Sequence, residues 1–405
     1  MPIKHIYLYF FLLWPTVSLA GGPVHGSKAA GMGTAFIAVA DDPSAILHNP
    51  AGISYIEGNN LYGGFTTIAP SSSYESNTGE QEDTDFQLFF PPHLYYTRES
   101  EFKDITLGIG LYSPFGIGGR KWSDTGLTRY LSTEGSIATV AVNPTVSWKF
   151  HPTASLAIGL DYMYARKEGS RMIDFGTGDG LSNIEADGGG WGYNFGLLWS
   201  APDNFRIGLA YRSSINVKFE GELTVTGIAP ALQSAFGGAG YTTDVSTESD
   251  FPESYGFGIA YIHNKKLTLA MDVELVRWSS FDQSHLDIAN EVPAAGLVDS
   301  TTILDWEDSL QFKLGIEYRL NDKYSLRGGY AYIPTMVPEH TMDPGNPDAD
   351  SHNISIGFGR FFNNWTLDGF YNLGLYEDRK VDNEILDGTY GNLVHAFGFS
   401  VLNRF

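Results

Sequence analysis

The chain ends N-L-V-H-A-F-G-F-S-V-L-N-R-F, residues 392–405. From His395 the odd positions read His395, Phe397, Phe399, Val401, Asn403 and Phe405, and the even positions read Ala396, Gly398, Ser400, Leu402 and Arg404. This is a period of two, mostly large on one side and small on the other, as in a β-strand with one greasy face. An apolar terminal strand left unpaired invites edge-to-edge association. In a closed transmembrane barrel the last strand pairs with the first and the edge disappears. The terminal strand of an ordinary secreted β-protein also alternates, so the ending needs support from the rest of the chain.

The opposite end gives that support. Lys4 and His5 form a short basic start, residues 6–17 are apolar and aromatic, and Ser18-Leu19-Ala20 supplies small residues before Gly21. This reads as a secretory signal peptide over residues 1–20, too short for a spanning helix and without the cysteine of a lipoprotein signal. Beyond it no stretch reaches the about 18 apolar residues of a membrane helix. With no Cys among 405 residues, an exported chain cannot be stapled by disulfides and needs a large core or a closed sheet. A net charge of −22 argues against nucleic acid, whose phosphates demand Lys and Arg. Gly31-Met32-Gly33 only begins a dinucleotide loop, since Phe36 stands where its third Gly belongs.

Alternation bounded by turn residues predicts fourteen strands, near 60–69, 86–98, 104–114, 137–150, 153–166, 190–201, 204–219, 251–263, 266–282, 308–320, 323–333, 351–362, 364–376 and 392–405. The connections after even-numbered strands are short: residues 99–103, 151–152, 202–203, 264–265, 321–322 and 363. Those after odd-numbered strands are long and rich in Gly, Pro, Ser and acids. Tight periplasmic turns alternating with long outer loops are the mark of an outer-membrane barrel, whereas a sandwich has no reason to put every long loop at one end. The alternation assigns faces as well. Tyr193, Phe195, Leu197 and Trp199 point to lipid, as do Tyr255, Phe257, Ile259 and Tyr261, and Leu310, Phe312, Leu314, Ile316 and Tyr318. Their neighbours point inward, and many are small, such as Gly208, Gly256, Gly258, Gly357 and Gly359. Something must fill that space. Residues 21–58 are Gly- and Ala-rich, too apolar for a free tail and without strand alternation, with one short helix expected from an Asp42 N-cap and Pro43 onward. They are expected inside the barrel as a plug, leaving residues 59–405 as its wall.

The segment G-S-K-A-A-G-M-G-T-A-F-I-A-V-A-D-D-P-S-A-I-L-H-N-P-A-G, residues 26–52, resembles the N-terminal hatch of the FadL/TodX family of outer-membrane transporters for long-chain fatty acids and hydrophobic hydrocarbons. Within it Asn49, Pro50, Ala51 and Gly52 match the family's signature. Ser113-Pro114-Phe115-Gly116, Asn143-Pro144 and Leu326-Arg327-Gly328-Gly329-Tyr330 follow in the family's order. The resemblance implies an all-β, 14-stranded antiparallel transmembrane β-barrel plugged by an N-terminal hatch, monomeric and passive. Substrate would be caught among the outer loops, passed to a lumen pocket beside the hatch, and released sideways past a kinked third strand. The kink is expected at Ser113, Pro114, Phe115 and Gly116, where Pro removes a ladder donor and Gly permits an unusual turn.

The substrate expectation is fatty acids or other hydrophobic small molecules, with hydrocarbon uptake, a water-filled porin or a surface adhesin as alternatives. The outer-groove candidates are Arg120, Lys121, Trp122, Arg129 and Tyr130 in the loop after strand 3, and Leu232 and Phe236 on one face of a short helix over 231–236. In the lumen, Lys313 and Arg327 could hold a carboxylate, but Asp161, Arg212, Asp272, Glu274, Glu317, Arg319 and Asp368 offer charges that would pair with them structurally. Phe405 is read as the assembly signal for the barrel-assembly machinery. Outer-membrane lipids and lipopolysaccharide are the remaining expected partners. The acidic loop residues and ten His lack the spacing of a calcium or zinc site, so neither a metal nor a cofactor is expected, and no constellation points to an enzyme.

Overall fold

The computed structural model describes residues 24–201 and 204–405. The expected signal peptide and the turn at 202–203 lie outside them. Fourteen antiparallel strands form the wall: β1 Asn59–Ser76, β2 Pro92–Glu99, β3 in two pieces (Ile105–Tyr112 and Ile117–Lys121), β4 Glu134–His151, β5 Ala154–Asp174, β6 Asp179–Ser200, β7 in two pieces (Phe205–Arg212 and Ile215–Thr226), β8 in two pieces (Gly240–Phe251 and Ser254–His263), β9 Leu267–Val276, β10 Ser309–Asn321, β11 Tyr324–Ile333, β12 Ser351–Phe361, β13 Trp365–Tyr376 and β14 Gly388–Arg404. The terminal strand closes the sheet on β1, in register from Asn60↔Arg404 to Ser76↔Gly388. Phe405 continues the ladder by exchanging backbone hydrogen bonds with Asn59 (3.0 and 3.3 Å), and its ring stacks on Tyr96.

The face assignment is visible in the exposure. Phe397, Phe399 and Val401 face outward while Ala396, Ser400 and Leu402 are buried, and Leu310, Phe312, Leu314, Ile316 and Tyr318 form another outward apolar row. Hydrocarbon accepts such rows because the backbone polar groups of these strands pair with the neighbouring strands. No helix is long and apolar enough to cross a membrane among the described residues.

Several strands run further into the outer loops than expected: β1 to Ser76, β3 to Lys121, β5 to Asp174, and β6 from Asp179. Four others depart for a local reason. The second begins at Pro92 rather than near 86, because Pro91 and Pro92 supply no N–H to the ladder. The ninth ends at Val276, and the chain turns through a 3₁₀ segment, Trp278–Ser280. In the seventh and eighth, breaks at Ser213-Ser214 and at Pro252-Glu253 switch the buried parity. Even positions face inward in Phe205–Arg212 and Ser254–His263; odd positions face inward in Ile215–Thr226 and Gly240–Phe251. The breaks therefore aim Ile215, Phe219 and Phe251 inward above a region lined by Gly208 and Gly256.

Residues 24–58 pack against the inward faces of the wall. They form α1 (Ser27–Gly31), α2 (Ala45–His48) and a 3₁₀ helix (Pro50–Tyr55). Ser44, not Asp42, is the N-cap of α2, and Asp42 Oδ1 accepts from the Ser44 amide (2.8 Å) and hydroxyl (2.5 Å). Wall glycines let the segment approach: a Cβ on Gly329 would overlap the Gly33 amide.

Candidate functional site

The Asn49–Gly52 turn is built by its own residue types. Pro50 starts the 3₁₀ helix, where a missing N–H costs nothing. Asn49 Oδ1 accepts from Ala51 N (3.2 Å), while its Nδ2 donates to Ile37 O (2.8 Å) and Leu197 O (3.1 Å), tying two parts of the segment to β6. Ala51 O accepts from Ser155 Oγ (2.8 Å) and Ser147 Oγ (3.3 Å). Gly52 lies so close to Ala40 that a Cβ would strike its carbonyl.

The third strand breaks at residues 113–116. The β3–β4 ladder runs to Tyr112↔Ala141 and resumes at Ile117↔Ala138, so four residues of β3 face two of β4. Gly116 takes the turn with φ +85°. Thr139 donates to Gly116 O from both N and Oγ1 (3.0 Å each), and Phe115 N donates to Thr139 Oγ1 (3.2 Å). On the other side the β2–β3 ladder stops at Leu94↔Leu111, and the next link is Asp85 N to Lys121 O (2.8 Å). The wall is thus unladdered beside the break.

Between that break, the inner segment and the stretches around the β7 and β8 breaks and the end of β9 lies a cavity of about 120 Å³. Its apolar lining includes Ile37, Leu47, Phe115, Ile137, Phe251, Trp278 and Phe281. Phe115 packs on Phe251 and Trp278 (ring centroids 4.8 and 6.4 Å), and Trp278 on Phe281 (5.5 Å). Two cations, Arg212 and Lys313, reach the same cavity. Lys313 Nζ ion-pairs with Glu274 (2.6 Å). Arg212 ion-pairs with Asp161, donates to the Tyr112 hydroxyl (3.1 Å), and reaches Leu47 O (3.2 Å). Asp161 also accepts from Tyr112 (2.7 Å) and Asn143 (2.8 Å). His48 lines the cavity too; burial lowers its imidazole to about 4, so it is neutral there.

The expected site residues separate into groups. Pro50, Pro114, Phe115, Gly116 and Lys313 meet at the cavity. Arg327 does not: its Nε bonds Glu317 (2.6 Å) and its Nη1 bonds Asp368 (2.6 Å), while Lys28 of the inner segment reaches Glu317 (3.3 Å). Arg120 is buried and donates to Ser72 Oγ (2.7 Å), and Trp122 is buried with Nε1 on Pro344 O (2.9 Å), so neither presents a side chain to an open groove. Lys121 is half-buried. Arg129 stacks on Tyr130 (4.1 Å), and both bond Asp179 at the outer surface. Leu232 is the N-cap of α3 (Gln233–Phe236), and Phe236 packs on Tyr241 (5.3 Å).

Reading strand 8 as continuous through Pro252 missed Phe251, and running strand 9 past Val276 missed Trp278 and Phe281. Pro252 itself was the available signal, since an interior strand rejects Pro except at a bulge or break.

The chain matches the family described as outer membrane protein transport protein (OMPP1/FadL/TodX) over residues 14–405. It is 22% identical over 385 residues to the long-chain fatty acid transport protein of Escherichia coli O6:H1, a match covering 85% of this chain and 84% of that protein. Its fold is similar to that of a Pseudomonas aeruginosa FadL homologue (TM-score 0.85, 18% identity, 95% of this chain and 100% of that one). It is also similar to the P. putida toluene transporter TodX (TM-score 0.75, 15% identity, 94% and 98%). At these identities the structural likeness speaks for the fold, while the family match spans the wall and the inner segment together. The chain belongs to the OMPP1/FadL/TodX family of outer-membrane transport proteins.

Proposed function

We propose that this barrel carries hydrophobic small molecules passively across the outer membrane, and that its substrates are long-chain fatty acids. The make-up of the cavity carries the reading: an aromatic and aliphatic wall that also includes Arg212 and Lys313, bordered by the strand break. An acyl chain gains about 0.8 kcal/mol per buried CH₂ against the apolar wall, and a carboxylate finds a cation in the same lining. In this reading the outer loops make first contact, with Arg129 and Tyr130 exposed enough to take part. The segment at residues 24–58 acts as the hatch. Release runs sideways past residues 113–116 into the bilayer, so the lipid never crosses water. The chain works as a monomer, and Phe405 serves its assembly.

Uptake of small hydrocarbons is the second reading. Both cavity cations already have carboxylate partners, so a neutral ligand would displace no ion pair. The cavity's about 120 Å³ is also close to the ~150 Å³ that suffices for benzene in an engineered apolar cavity. Binding of a fluorescent long-chain fatty acid to the refolded barrel, with toluene and an alkane as competitors, separates the two. Displacement by unlabelled fatty acid alone supports the first reading. Equal displacement by toluene supports the second, and no saturable binding refutes both.

A further inference from the structure

Beside the cavity, against β1–β3, a row of imidazole and phenol groups carries hydrogen-bonding capacity that the fold does not use. His25 Nε2 lies 2.8 Å from Ser113 O and 3.3 Å from Ser113 N. His93 Nε2 meets Ser400 Oγ at 2.9 Å. Each ring therefore spends one nitrogen on structure. The other nitrogen, Nδ1, has no hydrogen-bond partner among the described residues in either ring, nor have the Tyr95 hydroxyl and Ser113 Oγ. All four residues are at most 2% exposed. The rings form a contiguous series, with centroids 5.7 Å apart for His25–His93, 6.0 Å for His93–Tyr95 and 5.8 Å for Tyr95–Tyr112. Tyr112 then joins Arg212, which lines the cavity. The row thus begins at the cavity's cation, passes Tyr95 and His93 of β2 along the stretch where the β2–β3 ladder stops, and ends at His25 of the inner segment, against Ser113.

Burying an unmet donor or acceptor is costly, and a wall that served only to pack would shed that cost by using Phe for Tyr95 and Ala for Ser113. A neutral imidazole, a phenol and an alcohol each both donate and accept. Such groups suit a carboxyl head in either protonation state, and they offer a bare hydrocarbon nothing. We infer that the row His25–His93–Tyr95–Ser113 is a binding subsite for the carboxyl head of an acyl substrate, leading from Arg212 to the unladdered wall beside residues 113–116. The inference rests on the transport reading above and narrows it to acids.

Tyr95→Phe removes one unpartnered hydroxyl and nothing that the fold uses. A purely structural role predicts a barrel as stable as before, or more so, with unchanged uptake. The subsite predicts that the initial rate of hexadecanoic acid uptake falls about tenfold in Tyr95→Phe, the worth of one hydrogen bond to a carboxyl group, and further in Tyr95→Phe/Ser113→Ala. Hexadecane uptake, measured in the same cells, should stay within about twofold of the parent protein. Folding is checked by the gel shift between heated and unheated samples. Unchanged acid uptake in the folded double variant overturns the subsite and leaves the transport reading standing. Equal slowing of acid and alkane overturns it as well, because the row would then be wall. If the parent protein takes up neither compound, the transport reading fails and the subsite fails with it.

Discussion

Asp272 offers the sharpest test of how the hatch is held. Its Oδ2 accepts from two consecutive hatch amides, Phe36 N (2.7 Å) and Ile37 N (2.9 Å), and its Oδ1 has no partner among the described residues. Hydrogen bonds to a charged acceptor are worth about 1.5–3 kcal/mol each, so Asp272→Ala removes about 3–6 kcal/mol of attraction. It also relieves the cost of keeping one carboxylate oxygen unmet, about 1–3 kcal/mol. At mid-range the net loss is about 2.5 kcal/mol of docking free energy, or roughly a 70-fold rise in the local opening equilibrium. Amide hydrogen exchange of the refolded barrel reads this directly. Protection should fall by that factor at Phe36 and Ile37 while the wall strands keep theirs. Asp272→Asn, which retains one acceptor oxygen, should fall in between. Protection at residues 36 and 37 within threefold of the parent in a folded Asp272→Ala barrel would refute the claim that this carboxylate holds the hatch.

Three further outcomes are expected. Arg327→Met strands Asp368 without its cation and leaves Glu317 with Lys28 alone; breaking a buried network of this kind costs about 3–5 kcal/mol, read as a lower unfolding temperature on heated gels, and Arg327→Met/Asp368→Asn should recover part of it. Gly116→Val forces a β-branched residue into φ +85°, at a cost of about 1–2 kcal/mol, and crowds the break; fatty-acid uptake should fall several-fold in a barrel that still folds. Burial, helped by neighbouring Asp41 and opposed by the Ser44 hydrogen bond and by Lys28, pushes the Asp42 carboxyl up to about 7. Because the docked pKa lies above the free one, hatch stability is fullest below about pH 4 and is lost as pH rises through 7. Between pH 6 and 8 the released hatch gains two decades of ionisation against one for the docked form, so opening rises about tenfold, and Asp42→Asn should flatten that slope in exchange measured at the Ser44 amide.

The wall was legible because lipid imposes a strict code: period-two apolar faces, short turns at one end, and a final strand whose edge must be paired. That code says nothing about where a strand bends. At Ser213-Ser214 and Pro252-Glu253 the inward parity reverses within two residues, so Phe251, which lines the cavity, points the wrong way when the alternation of strand 8 is read straight through. The inner segment was legible as a motif but not in its geometry: in the structure Asn49 bonds Ile37 O and Leu197 O, and Gly52 has no room for a Cβ beside Ala40. Arg120 differs from its expected place in an open groove for a physical reason. A sequence shows that Arg120 is charged but not that its Nε is spent on Ser72 in a buried ladder. Likewise the His25–His93 row was invisible, because two lone histidines 68 positions apart carry no spacing signal, and only closure of β1 onto β14 brings Ser400 between Ser27 and His93.

The hatch is not held evenly, and the unevenness bears on how substrate could move it. Near α1, Lys28 bridges Asp41 (2.7 Å) and Glu317 (3.3 Å), while Gly33 packs on the Gly329 backbone. At the other end Asn49 and Ala51 bond to three wall strands, β4, β5 and β6. The stretch between them is held by single side chains of the wall: Asp272 on the Phe36 and Ile37 amides, Arg206 on Val39 O and Asn194 on Ile46 O (3.1 Å). Asp42 keeps one carboxylate oxygen without a partner, and Leu47 and His48 form part of the cavity lining. A molecule in the cavity would meet Leu47 and His48 of this stretch. Leu47 O accepts from Arg212 (3.2 Å), and Arg212 also donates to Tyr112, one residue before the strand break. The same cation thus touches the cavity, the inner segment and the residue that precedes the break.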